Sequence, residues 1–450
     1  MSIQKIISAL TNNLLPEINV SYNHRNIDEL IKVLPAILDK NTTVKSIIMP
    51  CNSIRDSGVK IISDALRTNG TVTTLDLSEN WIKEEGAKAI TTMLKNNKSL
   101  EILDLSYNRI GTEGAKALAE AIKINKTLKS LALRWCNIKP EGFEHLFEAL
   151  KVNRSITSIN CESNNVGENG SKALSEMLRM NRTLKILGLR DSWIHEKGIK
   201  AIAPAIKVNQ SLTEINLEGC GLRDEGVKML AEALEVNKSI TSINLSQNDM
   251  SFSANAIADM LEENTSLTSI DLGSNHIGEA GIKTIAKALK INNSLKSIEF
   301  SHNNIGSAVK DVADMLRKNT SLESISLFGN DISGEGIKDI AKALEINRSL
   351  TSINLAYNFC KNLGEVPKRN LFRAVLENNV LRELSVGWDI PDEVSKKLKQ
   401  NAEEKVDKKT AGLSAYKNHA VKMDQAWEAQ HKAKADDQAQ VQRSAVRNDC

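Results

Sequence analysis

Paired carboxylates are the first feature that could do chemistry. Asp76 and Asp104 stand 28 residues apart, and so do Asp271 and Glu299. If the chain returns to the same place every 28 residues, each pair becomes two acids side by side, as acid–base catalysis or a divalent cation would need. No nearby nucleophile, glycine-rich phosphate loop or basic partner shares their columns, so they are read as polar surface and the protein as a non-enzyme. His276 and His302 also come from successive periods. Two imidazoles without a third ligand do not make a metal centre, and no metal or cofactor is expected.

The same interval organises two further groups. Arg134, Glu162, Arg190 and Glu218 follow one another in a single column and alternate in sign. On adjacent strands they would form a charge ladder that satisfies itself, each opposed pair contributing roughly 0.2 to 1 kcal/mol. Its ends could still accept a partner's carboxylate or guanidinium. Aromatic residues make up only 4% of the chain, which makes each tryptophan conspicuous. Trp81 and Trp193 immediately follow a turn position, while Tyr107, Trp135, Tyr357 and Trp388 immediately precede one. None is a core position of the repeat, so Trp81, Tyr107, Trp135 and Trp193 are expected to form a binding patch beside the charge ladder.

The element that positions these residues is a repeat of 28 residues, well represented by SLEILDLSYNRIGTEGAKALAEAIKINK from Ser99 to Lys126. Its first half reads LxxLxLxxNxI. Leu103 and Leu105 alternate as on a strand with one buried face, and Asn108 turns the chain. Stacked in register, such an asparagine can satisfy backbone groups of neighbouring turns that no sheet ladder reaches. The second half is an amphipathic helix in which Leu118 and Ile122 meet the strand leucines, with Gly114 expected to open it and Asn125 to close it. The turn position recurs from Asn23 to Asp389, with Cys136, Ser192 and Cys220 replacing asparagine, and this predicts fourteen coils. Two coils, ending at Asn275 and Asn330, are one residue short, and both deletions fall on the helix side.

The LxxLxLxxN core, the 28-residue period and the EGAKALAEAI helix resemble the ribonuclease-inhibitor type of leucine-rich repeat, as in ribonuclease inhibitor and the repeat domain of NOD-like receptors. The resemblance spans roughly residues 18–390. It implies an α/β solenoid, a horseshoe with parallel strands on the concave face and helices on the convex face, that binds proteins on the strands and adjoining loops. This chain lacks the cysteine richness of ribonuclease inhibitor and the long acidic tail of Ran GTPase-activating proteins, which share the repeat.

Residues 1–17 are expected to form a capping helix built on Ile3, Ile6, Ile7, Leu10 and Leu14. The pattern stops near Ile390, so residues 391–450 are read as a cap helix followed by a polar, partly disordered tail. Within that tail Leu413, Tyr416, Ala420, Met423 and Trp427 share a helical stripe, either a marginal element or a partner-binding helix. Twelve Asn-x-Ser/Thr triplets, from Asn41 to Asn347, fall at one place in the repeat, where the helix ends. They are read as structural, asparagine tolerating the left-handed conformation wanted at a helix C-terminus.

With 59 basic and 56 acidic residues the net charge is +3, which leaves no global electrostatic case for nucleic acid or membrane; phosphate binding would need a local patch. No apolar run is long enough to span a bilayer. Six cysteines, Cys51, Cys136, Cys161, Cys220, Cys360 and Cys450, show no CxxC pair, which points to free thiols in a reducing compartment. The expectation is a monomeric, cytoplasmic, non-catalytic scaffold for a protein partner. The alternatives are a regulator of an enzyme, of GTPase-activating or inhibitor type, and a host-directed effector delivered without a cleaved signal.

Overall fold

A computed structural model describes residues 3–22, 26–358 and 364–403. Asn23, Cys360, Cys450 and the Leu413–Trp427 stripe lie outside the described residues. The chain divides into two compact units, Met1–Leu398 and Lys399–Cys450, and the described strands belong to the first.

Among the described residues, fourteen short strands form one open parallel sheet in chain order. They are β1 (Glu17–Asn19), β2 (Ser46–Ile48), β3 (Thr74–Asp76), β4 (Ile102–Asp104), β5 (Ser130–Ala132), β6 (Ser158–Asn160), β7 (Ile186–Gly188), β8 (Glu214–Asn216), β9 (Ser242–Asn244), β10 (Ser269–Asp271), β11 (Ser297–Glu299), β12 (Ser324–Ser326), β13 (Ser352–Asn354) and β14 (Glu383–Ser385). A helix follows each strand, and the register is that of the repeat: Leu75 faces Leu103, which faces Leu131. These leucines are buried, as are Leu118 and Ile122 of the helix Gly111–Ile122. A core of stacked Leu, Ile and Ala layers therefore runs the length of the sheet, each coil covering its neighbours.

Two asparagine ladders hold the turns on either side of that core. At the strand exit, Asn108 Nδ2 donates to Leu77 O (3.0 Å) and Leu105 O (2.9 Å), while Asn108 Oδ1 accepts from Asn80 N (3.0 Å) and Ile82 N (2.9 Å). Where asparagine is replaced the donor survives: Cys136 Sγ reaches Leu105 O (3.1 Å) and Cys220 Sγ reaches Leu189 O (2.9 Å). The second ladder is the Asn-x-Ser/Thr series. Asn125 Nδ2 donates to Leu94 O of the preceding coil (2.8 Å), and its Oδ1 accepts from Thr127 N (3.0 Å) and Leu128 N (2.8 Å).

The reason expected for asparagine at the helix ends is therefore corrected. Asn153 and Asn181 have φ of −66° and −76° with extended ψ, so no left-handed residue is needed there. The side chain is selected because it ties successive coils together. In Asn125, Asn153 and Asn181 the side-chain amide is buried between two coils, where a glycan has no room.

The opening of the helix is corrected too. Gly111, at φ 65°, leads into the helix and Gly114 lies inside it. A Cβ at Gly114 would come within 2.8 Å of Ile110 Cγ2 and 3.0 Å of Ala87 Cβ, so glycine is required where adjacent helices approach. The two deletions fall on the helix side as expected. The helix Ala254–Glu263 is only 10 residues long, and the other short coil uses a 3-10 turn, Gly306–Ala308, before the 8-residue helix Val309–Leu316. At the ends, the helix Ile3–Thr11 buries Ile3, Ile6 and Leu10, and Val394 and Leu398 of Asp392–Glu403 are buried.

Candidate functional site

Beyond each strand the chain makes one left-handed step. In every coil from β1 to β13 the residue just before the exit-ladder position has a positive φ, from Tyr22 at 56° to Tyr357 at 56°, with Tyr107 at 57° and Trp135 at 54°. For a bulky residue this costs on the order of 1 to 2 kcal/mol. Gly219 and Gly329 occupy the position at no such cost, so the backbone does not ask for an aromatic there. The step is enforced by hydrogen bonds to the next coil: Tyr107 N donates to Arg134 O (2.7 Å) and Trp135 N to Glu162 O (3.0 Å). Trp81 and Trp193, just after the ladder position, are also left-handed, at 59° and 53°. Asn108 brackets Trp81 by accepting from Asn80 N and Ile82 N.

These pinned turns leave large apolar groups in solvent. Trp81 is 53% exposed, Trp135 54% and Trp193 62%, while Tyr107 is half-buried. Tyr107 stacks on Trp135 with centroids 6.4 Å apart and rings 13° from parallel, and Arg134 lies 5.4 Å above the Tyr107 ring. Arg109 covers Trp81 at 4.7 Å. Trp193, two coils beyond Trp135 and in the other column, packs edge-on against His195 at 5.9 Å. The structure thus joins Tyr107, Trp135 and Arg134 in one cluster and gives Trp81 and Trp193 partners of their own.

The Arg/Glu column forms two ion pairs, Arg134 Nε to Glu162 Oε2 (3.8 Å) and Arg190 Nη2 to Glu218 Oε1 (3.2 Å). Amides extend them across further coils: Asn216 donates to Glu162 (3.1 Å), and Asn244 (3.2 Å) and Gln247 (2.7 Å) donate to Glu218. Burial pushes the Glu218 carboxyl above the usual range, outweighing the opposing pull of Arg190. Such a column is rigid, because each charge is held by neighbours that would have to move with it.

The paired carboxylates have a structural explanation. Asp76 accepts from Ser78 N (2.9 Å), Asp104 from Ser106 N (2.8 Å) and Asp271 from Gly273 N (2.8 Å), closing the turn two residues on. Asn160 and Asn216 do the same from the same column, at 2.9 Å and 3.0 Å. Burial, then the charge of Asp76, raises the Asp104 carboxyl to about 7; burial, opposed by the Gly273 N–H and reinforced by Glu299, raises Asp271 to about 6. Among the described residues no three His, Cys, Asp or Glu side chains gather as a metal site.

Sequence reading missed a second aromatic cluster. His302 packs edge-on against Phe328 (5.0 Å), and Phe328 lies 4.8 Å from Tyr357, which is 78% exposed. Phe328 occupies the column of Arg134 and Glu218, so continuing that column along the sheet would have found it. Trp388 is partly buried against the core, unlike Trp135.

The sequence matches the family model of the leucine-rich repeat over residues 68–90, 96–119, 125–146, 208–231, 263–286, 292–308 and 318–341. No curated protein matches the chain in sequence. Among solved structures it is similar to an internalin from Listeria monocytogenes, with 17% identity and a TM-score of 0.51, over 81% of this chain and 95% of that one. Shorter likenesses are to the tropomodulin C-terminal domain of Caenorhabditis elegans (15% identity, TM-score 0.32, 34% of this chain and 94% of that one) and to the actin-binding site 2 of leiomodin-1 (20%, 0.30, 38% and 95%). The fold is a leucine-rich-repeat solenoid of the α/β class. Such repeats typically mediate protein–protein interaction.

Proposed function

We propose that the protein is a non-catalytic scaffold that binds a protein partner through the strand face and adjoining turns of the β3 to β8 coils. One observation carries this reading: Trp81, Trp135 and Trp193 are all more than half exposed on turns fixed by hydrogen bonds between coils. Anchors on a backbone ordered before binding lose little entropy when a partner arrives. Arg134, Glu162, Arg190 and Glu218 form the floor beside Tyr107 and Trp135, and they favour a partner with a mixed-charge, hydrogen-bonding surface. The helix in every coil and the 28-residue period support the ribonuclease-inhibitor type of repeat. In the same reading the helices Ile3–Thr11 and Asp392–Glu403 cap the two ends of the stack, and the protein works as a monomer in the cytoplasm.

Affinity capture with the full chain, beside a Trp135→Ala/Trp193→Ala variant, tests the reading. A partner recovered by the native chain should be lost by the variant while thermal unfolding is unchanged. Equal recovery of every specific partner by both would remove the strand-side aromatics from the proposal.

A further inference from the structure

The opposite edge of the sheet, where helices end and strands begin, carries a feature the repeat does not require. Immediately before the buried asparagine of each helix end stands one solvent-facing residue. In five consecutive coils it is aliphatic: Ile124, Val152, Met180, Val208 and Val236, exposed by 54, 57, 57, 50 and 50%. The coil before this run has Asn96 at the position and the coil after it has Glu263, both exposed. A polar residue is therefore compatible with the turn, and burial in the core does not explain the aliphatic run. Neighbouring helices pack about 8 to 10 Å apart, so the row extends for some 30 to 40 Å. Apolar side chains scattered singly on a surface mean little, but these are in register and continuous from coil to coil.

Cations flank the row on both sides. The five segments read KINK, KVNR, RMNR, KVNQ and EVNK, with eight basic residues and one acidic, a net +7 (8 − 1) where the whole chain carries +3. Part of this charge serves the fold. Lys123 pairs with Glu120, and Lys151 with Glu148 and Glu176. Arg154 Nη1 caps Lys151 O (2.7 Å) and Arg182 Nη1 caps Asn181 O (3.1 Å). Lys126, Arg179, Lys207 and Lys238 are exposed and make no ion pair or side-chain hydrogen bond among the described residues. Between the Val208 and Val236 turns lies a crevice of about 290 Å³ with Lys207, Gln210, Lys238 and Ser239 on its walls, open to a phosphate-sized group.

We propose that this edge docks on an anionic lipid surface, with the five aliphatic side chains entering the boundary between headgroups and acyl chains and the lysines and arginines lying among phosphate and carboxylate headgroups. It supplies the local basic patch that the nearly balanced total charge hides. Shallow apolar groups ringed by Lys and Arg are the combination that holds proteins at a bilayer interface, the basic stems lying along apolar surface while their charges stay in the headgroup layer.

An acidic protein partner fits the edge less well. Its turn N–H groups are already taken by the asparagine Oδ1 atoms, as at Ser155 and Ile156 (2.9 and 2.8 Å from Asn153). The aliphatic groups are spaced one per coil with no aromatic anchor, whereas a protein interface concentrates its energy in a packed cluster. A fluid bilayer needs no such cluster. The helix C-termini along this edge carry partial negative charge, which the arginine caps and the Asn Nδ2 donors offset. Docking here leaves the aromatic turns at the other end of every strand open to a protein.

Sedimentation of the full chain with vesicles at physiological salt tests the proposal. Vesicles containing about 30% phosphatidylserine in phosphatidylcholine should bind it at least about tenfold more strongly than phosphatidylcholine alone. Val152→Ser/Met180→Ser/Val208→Ser should weaken that binding about tenfold or more, and so should Lys126→Gln/Arg179→Gln/Lys207→Gln/Lys238→Gln, the latter with a flatter salt dependence. Trp135→Ala/Trp193→Ala should leave it unchanged, which separates this proposal from the binding role of the strand face. The two sets alter different chemistry, so one remains readable if thermal unfolding shows that the other has lost its fold. Failure of the native chain to sediment with phosphatidylserine vesicles overturns the proposal. So does unchanged binding by the aliphatic variant, which would mean adsorption by charge alone, or equally tight binding to polyglutamate that is lost in both variants, which would mean an acidic polypeptide.

Discussion

The strand face from β3 to β8 and its continuation from β9 to β13 share one backbone and differ in the columns they show to solvent beside it. In the later stretch Ser242, Ser269, Ser297, Ser324 and Ser352 stand in register on adjacent strands, a stripe of small hydroxyls. The same column earlier holds Thr74, Ile102, Ser130, Ser158, Ile186 and Glu214. Two residues beyond the end of each strand, the coils of β5 to β8 present Arg134, Glu162, Arg190 and Glu218, where those of β9 to β13 present Ser246, Gly273, Ser301, Phe328 and Ala356. Beneath both, Leu or Ile fills the same buried layer and the turn ladders are alike. Because the core and the ladders alone hold the coils together, the outer columns vary freely. The Arg/Glu ladder and the tryptophans of the early stretch are therefore informative about binding, and the serine stripe of the later one provides an internal control.

The largest effect should be equal in the two stretches. Asn108→Ala and Asn303→Ala each remove a side chain that donates to the preceding coil and accepts from two backbone N–H groups, and each should cost about 2 to 4 kcal/mol in urea unfolding. A near-neutral result at one site and a large loss at the other would break the equivalence of the two halves. Binding should then separate them. Trp135→Ala is expected to weaken a captured partner by about 2 kcal/mol, roughly thirtyfold, while Ser297→Ala leaves affinity within about 0.5 kcal/mol.

Protonation sharpens the comparison further. Asp104 and Asp271 both have folded-state pKa values raised above their ordinary value, to about 7 and about 6, so the folded protein holds their protons more tightly than the unfolded chain does. The stability this supplies is fully present below about pH 4 and is lost as pH rises through those values. Asp104→Asn keeps the turn acceptor, as Asn160 shows in the same column. It should stabilise the protein by about 1 to 3 kcal/mol at pH 8 and change little at pH 4, with Asp271→Asn giving the same sign and a smaller gain. Thermal unfolding of each variant across pH 4 to 8 checks this, and a destabilisation of Asp104→Asn at pH 8 would contradict it. The smallest effect concerns the thiols of the early stretch. Cys136, Cys161 and Cys220 are buried, and burial holds their thiols protonated, Cys220 near 12. A thiol reagent at pH 8 should leave them unmodified until the β5 to β8 coils open, followed by mass spectrometry during urea unfolding.

Much of this was legible in the chain because a repeat turns sequence distance into spatial adjacency. A constant step of 28 is enough to know that Arg134 lies beside Glu162, that Tyr107 lies beside Trp135, and that the two short coils lose a residue from the helix rather than the strand. The readings that failed were those that assigned a single residue its reason. Asparagine at the helix ends suggests tolerance of positive φ, whereas its buried amide spans two coils. Gly114 reads as an opening residue in the chain, and it is the point where two helices nearly touch. The carboxylate pairs are legible as polar surface, but the turn N–H groups that they accept from are placed only by the fold. The exposed aliphatic edge is not legible in the chain, because Ile, Val and Met next to a helical pattern read as core.

The sequence by itself determined the strand–helix coil, the order and register of fourteen parallel strands, and which residues share a column, because each of these follows from a periodic pattern of apolar side chains that must be buried together. Tertiary structure decided which side of each column faces water. That depends on where the next coil lands and which polar atoms it leaves to be satisfied. Trp135 is exposed while Trp388, at the same place in the repeat, packs on the core, although no local rule in the chain separates them.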